Sequence, residues 1–274
     1  MRGVRRSEGT RVVGHAGTLD PMATGLLVVL LGEATRLVPW ATGADKAYEA
    51  ELALGEETDT LDAMGTVLRR AEVPGDLAAR LPEALSAERA RTVQVPPVVS
   101  AIHVDGERAH ERARRGEAVV LRPRSVRVLA LEGSLVGPST VRLRVECEKG
   151  YYVRSLGRDL AAHLGTVGHL VALRRTRVGG FRVEEAGASV WPTPDAMRRL
   201  MPCVDLPEAL AVPLRQGKRL PRAALPDAPS GVVGALVEGR PLAILSLDDD
   251  GARVLRGFPS APSLLDPRPA SVPP

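Results

Sequence analysis

Hydrophobic and polar residues alternate most cleanly along KAYEAELALG, residues 46–55, where Tyr48, Ala50, Leu52 and Leu54 share one face and Glu49 and Glu51 the other. A period of two predicts a half-buried strand. The alternation returns in TVRLRVECEKG (140–150), with Val141, Leu143, Val145 and Cys147 opposite Arg142, Arg144, Glu146 and Glu148. Together with VRVLALEGSLV (126–136) it predicts a strand pair covered on one side. LLVVLL (26–31) does not alternate and reads as a short buried strand, and ALRRTRVGGFRV (172–183) as a strand with a basic stretch. EATRLVPWAT (33–42), PGDLAARLPEALSAERA (74–90) and YYVRSLGRDLAAHLG (151–165) carry helix formers. Pro39 is expected to shorten the first, Pro82 to interrupt the second and Gly165 to end the third.

Beyond about residue 203 prolines multiply and short strands such as GVVGALVEG and LAILSLDDDGARVLRGF appear. The pattern predicts a larger domain over 1–203, a small β-rich domain over 204–259, and a Pro- and Ser-rich tail over 260–274 that frays. No internal repeat is found.

Composition narrows the chemistry. Of 37 basic residues all but Lys46, Lys149 and Lys218 are arginine, and the net charge is +4. The planar guanidinium fork suits phosphate oxygens, so an anionic partner is favoured. Two cysteines make neither a disulfide framework nor a metal cluster. The five histidines, His15, His103, His110, His163 and His169, lack ligand spacing with cysteines or carboxylates, and there is no phosphate-binding loop or dinucleotide fingerprint. The reading is therefore no metal and no cofactor. No stretch of 18 apolar residues occurs and the N-terminus lacks an apolar signal core, so a cytoplasmic protein without membrane association is expected.

One segment resists the strand-and-helix pattern. Residues 14–25, GHAGTLDPMATG, hold three glycines and a proline around a single carboxylate, Asp20. Such a loop cannot be a regular helix or central strand. Asp20 is either a turn-forming residue before Pro21 or a nucleophile on a rigid platform.

The stretch closely resembles the signature of the bacterial tRNA pseudouridine-55 synthases, the TruB-type family, whose form G-H-x-G-x-L-D-P-x-A-T-G-x-L is matched at every fixed position. ADKAYEAELALGEETDTLDAMG, QVPPVVSAIHVDGERAHERARRGE, CEKGYYVRSLGRDLAAHLG and HLVALRRTRVGGF resemble the following blocks in the family's order, so the likeness spans roughly residues 11–182. Family members normally open with a strand and a Lys-Pro turn, GVLLLDKPxGxTS; here the chain opens MRGVRRSEG, and a late start or a shortened chain is expected.

The resemblance implies an α/β (α+β) pseudouridine-synthase fold: a mixed, mostly antiparallel sheet with flanking helices, followed by a small β-rich PUA-like RNA-binding domain. It implies isomerisation of the uridine at position 55 in the T stem-loop of tRNA, by base flipping, with no cofactor, and no protein partner beyond the single chain. Asp20 corresponds to the family's catalytic aspartate and Arg154 to its basic partner. Tyr48 and Tyr152 correspond to rings against the target base, and Leu173 to a pocket-lining residue. His15 matches a position associated with the space that the flipped base vacates. Arg174, Arg175 and Arg177 are open to two readings, phosphate contacts or a solvated face. The alternatives are a synthase for another RNA and an RNA-binding or RNA-folding protein without catalysis.

Overall fold

The computed structural model describes residues 2–100, 103–104, 107–108, 115, 121–187 and 190–259. The tail expected at 260–274, and most of the block between 101 and 120, lie outside the described residues. The chain divides into two units, one made of Gly17–Leu27 and Gly43–Ala186, the other of Met1–Ala16, Val28–Thr42 and the chain from Gly187 on.

The first unit contains β1 (Thr24–Gly25), β2 (Lys46–Leu54), α1 (Leu77–Arg89), β3 (Val128–Gly137), β4 (Thr140–Cys147), α2 (Val153–His163), β5 (Gly168–Val178) and β6 (Phe181–Arg182). The strands form one six-stranded sheet in the order β3-β4-β2-β5-β6, with β1 added beside β5. Only the β1–β5 pairing is parallel; the others are antiparallel. The sheet is thus mixed and mostly antiparallel, as expected.

The alternation of β2 and β4 fixes its sidedness. Val141, Leu143 and Val145 stand opposite Leu52, Ala50 and Tyr48, and all three valine and leucine side chains are buried. Leu81 and Leu85 of α1 and Leu156 and Leu160 of α2 pack on this face. On the other face Arg142 pairs with Glu51 at 3.1 Å and Arg144 with Glu49 at 3.5 Å, both exposed. Exposed pairs of this kind add at most about 1 kcal/mol each, so burial holds the sheet together. Gly165, at φ +84°, ends the α2 region as expected.

Three local expectations change. Helix α1 runs through Pro82 without interruption. Its buried residues Leu77, Leu81, Ala84, Leu85 and Glu88 form one stripe, and packing of that stripe outweighs one missing backbone hydrogen bond. Pro39 stands in the first turn of the helix Val38–Gly43, where it has no hydrogen bond to break, after a 3-10 turn over Gly32–Leu37. Of LLVVLL only Val29–Leu31 is a strand, paired with Val13–His15, because Leu26 gives its N–H to the Arg175 carbonyl instead.

In the second unit β7 (Cys203–Asp205), β8 (Gly231–Val237), β9 (Arg240–Asp248) and β10 (Gly251–Gly257) form a four-stranded sheet in that order. Strand β7 runs parallel to β8 and the remaining pairs are antiparallel. The helix Glu208–Arg215 contributes Ala211 and Leu214 to a core with Val233, Ala235, Leu245 and Ala252.

Candidate active site

The site is built on the loop Gly17–Leu27 of the first unit. Asp20 and Pro21 open a turn closed by the Ala23 N–H bonding to the Asp20 carbonyl at 2.9 Å. Proline at the second position presets that turn. Met22 and Ala23 pack against the sheet core, and Thr24 hydrogen-bonds the Leu173 carbonyl. Gly25, at φ +92°, lies so close to β5 that a Cβ there would stand 2.3 Å from the Arg175 carbonyl oxygen. With the Gly17 carbonyl held by Arg175 at 3.2 Å, the loop is fastened on both sides of Asp20.

Arg154 reaches Asp20 from the first turn of α2. Its Nε donates to Oδ2 at 2.8 Å and one terminal nitrogen to Oδ1 at 2.7 Å. The same guanidinium donates to the carbonyls of Thr60 at 2.8 Å and Val99 at 3.0 Å. Arg154 is 4% exposed and the Asp20 side chain 30% exposed. A planar cation thus holds the carboxylate from within while the carboxylate keeps an open side.

A second carboxylate stands behind the first. Asp62, 4% exposed, lies 3.6 Å from Arg154. It also accepts from the Thr60 hydroxyl at 2.7 Å and the Met64 N–H at 3.0 Å. Thr58 in turn donates to the Asp62 carbonyl at 2.7 Å, and Leu61 takes φ +61°. These bonds make the TDTLD turn a rigid bracket that delivers the Thr60 carbonyl to Arg154. Asp62 was visible in the sequence as part of that motif, but its electrostatic role was not.

Tyr48, on β2, and Tyr152, directly before α2, both lie within electrostatic reach of Asp20. Burial pushes the Tyr48 phenol up to about 12 and also raises that of Tyr152, so both stay neutral at ordinary pH. Gln94 clasps Tyr152, accepting from its N–H at 2.9 Å and donating to its carbonyl at 3.2 Å. Gln94 is 2% exposed and sequence reasoning did not single it out. Leu173 is buried on β5 opposite Ala50.

The first unit therefore brings together Asp20, Arg154, Tyr48 and Tyr152, with Leu173 beneath the same loop. His15 belongs to the second unit, half-buried on the strand Val13–His15 opposite Val29, and its Nδ1 is buried without a hydrogen bond among the described residues. The three β5 arginines separate. Arg174 is exposed, Arg177 bonds Glu146 at 2.7 Å, and Arg175 is 1% exposed with its donors on backbone carbonyls. Arg175 is thus neither on a solvated face nor available to phosphate. No group of three or more His, Cys, Asp or Glu residues is placed to hold a metal ion among the described residues, and no described helix is long and apolar enough to cross a membrane.

A mixed, mostly antiparallel sheet of this kind has counterparts among solved structures. The Cbf5 chain in the crystal structure of a Cbf5-Nop10-Gar1 complex superposes with a TM-score of 0.69 at 22% identity, over 94% of this chain and 79% of that one. A structure of an H/ACA RNP bound to a substrate RNA containing 2'-deoxyuridine superposes at 0.66, with 20% identity over the same shares. At such identities the likeness speaks for the fold. Sequence narrows it further: residues 5–153 match the TruB family pseudouridylate synthase N-terminal domain. The tRNA pseudouridine synthase B of Leifsonia xyli subsp. xyli is 44% identical over 94% of this chain and 90% of its own length. That of Thermobifida fusca is 43% identical over 88% and 87%. The chain belongs to the TruB family of pseudouridylate synthases, and it is an RNA-modifying isomerase.

Proposed function

We propose that this chain isomerises the uridine at position 55 in the T stem-loop of tRNA to pseudouridine, with Asp20 as the reacting carboxylate. The observation that carries the reading is the pairing of Asp20 with the buried guanidinium of Arg154, which holds the carboxylate in one direction while leaving a side open. Relatives named tRNA pseudouridine synthase B support tRNA as the substrate.

The reaction breaks the glycosidic bond, turns the uracil and joins its C5 to the ribose, so reactant and product have the same atoms and no redox partner is consumed. The target base must first leave its stack, at an expense of a few kcal/mol. Stacking on an aromatic ring returns about 1–3 kcal/mol, which is the role assigned to Tyr48 and Tyr152, with Leu173 closing the apolar side. Arg154 orients Asp20 for attack or proton transfer. Residues 204–259 act as a PUA-like RNA-binding module and 1–203 as the catalytic domain; of six arginines between 215 and 256, Arg240, Arg253 and Arg256 are exposed and offered to the phosphate backbone.

The test is incubation of the full chain with an unmodified T stem-loop transcript and mapping of pseudouridine. Conversion at the T-loop uridine, abolished by Asp20→Asn with RNA binding retained, is expected. Conversion elsewhere, or an Asp20→Asn rate within tenfold of the parent, overturns the reading.

A further inference from the structure

Arg175 is the largest side chain among those essentially sealed from solvent, at 1% exposure. A buried guanidinium is expensive unless every donor is engaged. Among the described residues no carboxylate is bonded to it; its Nε donates to the Leu26 carbonyl at 2.8 Å and a terminal nitrogen to the Gly17 carbonyl at 3.2 Å. Its own backbone carbonyl receives the Leu26 N–H at 2.8 Å. Gly17 and Leu26 are the two ends of the segment that carries Asp20. The guanidinium also lies beside the Tyr48 hydroxyl, across the β2–β5 ladder where Tyr48 and Arg175 are register partners. Gly17, at φ +96°, has no Cβ, and an ideal one would lie 3.7 Å from a terminal nitrogen of Arg175 and 3.6 Å from the Lys46 side chain.

We infer that Arg175 is a positioning residue: one buried cation spans both ends of the Asp20 loop and ties it to the Tyr48 ring, so the reacting carboxylate and the stacking platform are held in one frame. The inference rests on the proposed role of Asp20. Arg175 touches neither Asp20 nor substrate. It acts through the carbonyls of Gly17 and Leu26, and through Tyr48. Two contacts separated by nine positions of chain require a fork; a lysine carries the same charge but can reach one of them only.

The test compares the full-length parent with Arg175→Lys, Arg175→Met and Leu160→Val, the last a core substitution on α2 away from the loop. Thermal melts, T stem-loop affinity and single-turnover rate with saturating enzyme are measured for each. Both Arg175 variants should bind RNA within about threefold of the parent yet turn over at least roughly 100-fold more slowly, the effect of misplacing a reacting group by about 1 Å. Leu160→Val should keep its rate at any temperature well below its melt. If Arg175→Met does not fold, Arg175→Lys carries the comparison. A lysine variant at the parent rate, or Arg175 variants slowed no more than Leu160→Val, would overturn the inference. If the parent itself converts no uridine, the proposed function has failed instead, and that outcome is read from the parent alone.

Discussion

Arg154 meets Asp20 side-on, with its Nε on one carboxylate oxygen at 2.8 Å and a terminal nitrogen on the other at 2.7 Å. Two parallel bonds fix the plane of the carboxylate as well as its distance. Arg154→Lys keeps a positive charge and loses the fork; Arg154→Ala also leaves the Thr60 and Val99 carbonyls without their donor. Single-turnover rates should fall in the order parent, Lys, Ala, with the lysine variant down by about 10²-fold, as for a displaced reacting group. The alanine variant should also lose about 3 kcal/mol of stability, the scale for breaking one side of a buried pair. Rate measurements alongside urea unfolding check both. A lysine variant with unchanged turnover would mean that charge alone suffices and the plane is irrelevant.

Gln94 offers the Tyr152 backbone what a neighbouring strand would offer, one acceptor and one donor. Gln94→Ala leaves the Tyr152 N–H without its acceptor, a loss worth about 1–3 kcal/mol, while the Tyr152 carbonyl still accepts the Leu156 N–H at 3.1 Å. The variant should melt below the parent, and turnover should drop further than stacking on a correctly placed Tyr152 ring would allow. Urea unfolding together with single-turnover kinetics is the check. Unchanged stability would show that water replaces the amide.

Gly25 combines a left-handed backbone with a close approach to β5, so Gly25→Ala has no low-energy solution: its methyl would overlap the Arg175 carbonyl oxygen. Either β1 leaves β5 or the Asp20 turn moves. We expect turnover to fall by at least roughly 100-fold for a shift of about 1 Å, with the core melt less affected. Parent-like turnover by Gly25→Ala would show that the loop tolerates displacement.

The sheet and much of the site were legible because their signals are local. Alternation in 46–54 and 140–147 named the strands and their buried faces, and the spacing of GHAGTLDPMATG marked an irregular loop around Asp20. What could not be read were contacts made by backbone atoms, which any residue supplies. The carbonyls of Thr60, Val99, Gly17 and Leu26 receive arginines 55 to 158 positions away. For the same reason Arg175 stood in a basic run with Arg174 and Arg177, and only the fold reveals which of the three points inward. Pro82 misled in the opposite direction: a local rule against proline in helices gave way to the packing of Leu81 and Leu85 on the sheet.

Several buried acids set an alkaline limit on stability. Burial pushes the Tyr48 phenol from an ordinary value near 10 up to about 12, and the Cys147 thiol from near 9 up to about 12; Tyr151 is raised as well. In the unfolded chain these groups lose protons at their ordinary values, while the folded chain retains them. Between the ordinary and the raised value the unfolded state therefore binds fewer protons, and stability falls as pH rises. Lys46 acts the other way, since burial lowers the pKa of its ammonium group, but it is one group against five, because burial also raises Tyr152 and Cys203. The urea midpoint should be flat with respect to these groups below pH 8. From about pH 9 it should decline, by on the order of 1.4 kcal/mol per pH unit for each group being titrated. Tyr48→Phe should make the decline shallower above pH 10, where its phenol would have contributed. Native Cys147 should also resist alkylation at pH 8, while the urea-unfolded chain reacts at once, because only the thiolate is nucleophilic. A midpoint that stays constant to pH 11 in the parent, or rapid labelling of native Cys147 located by peptide mapping, would show that these groups are more open to water than their burial indicates.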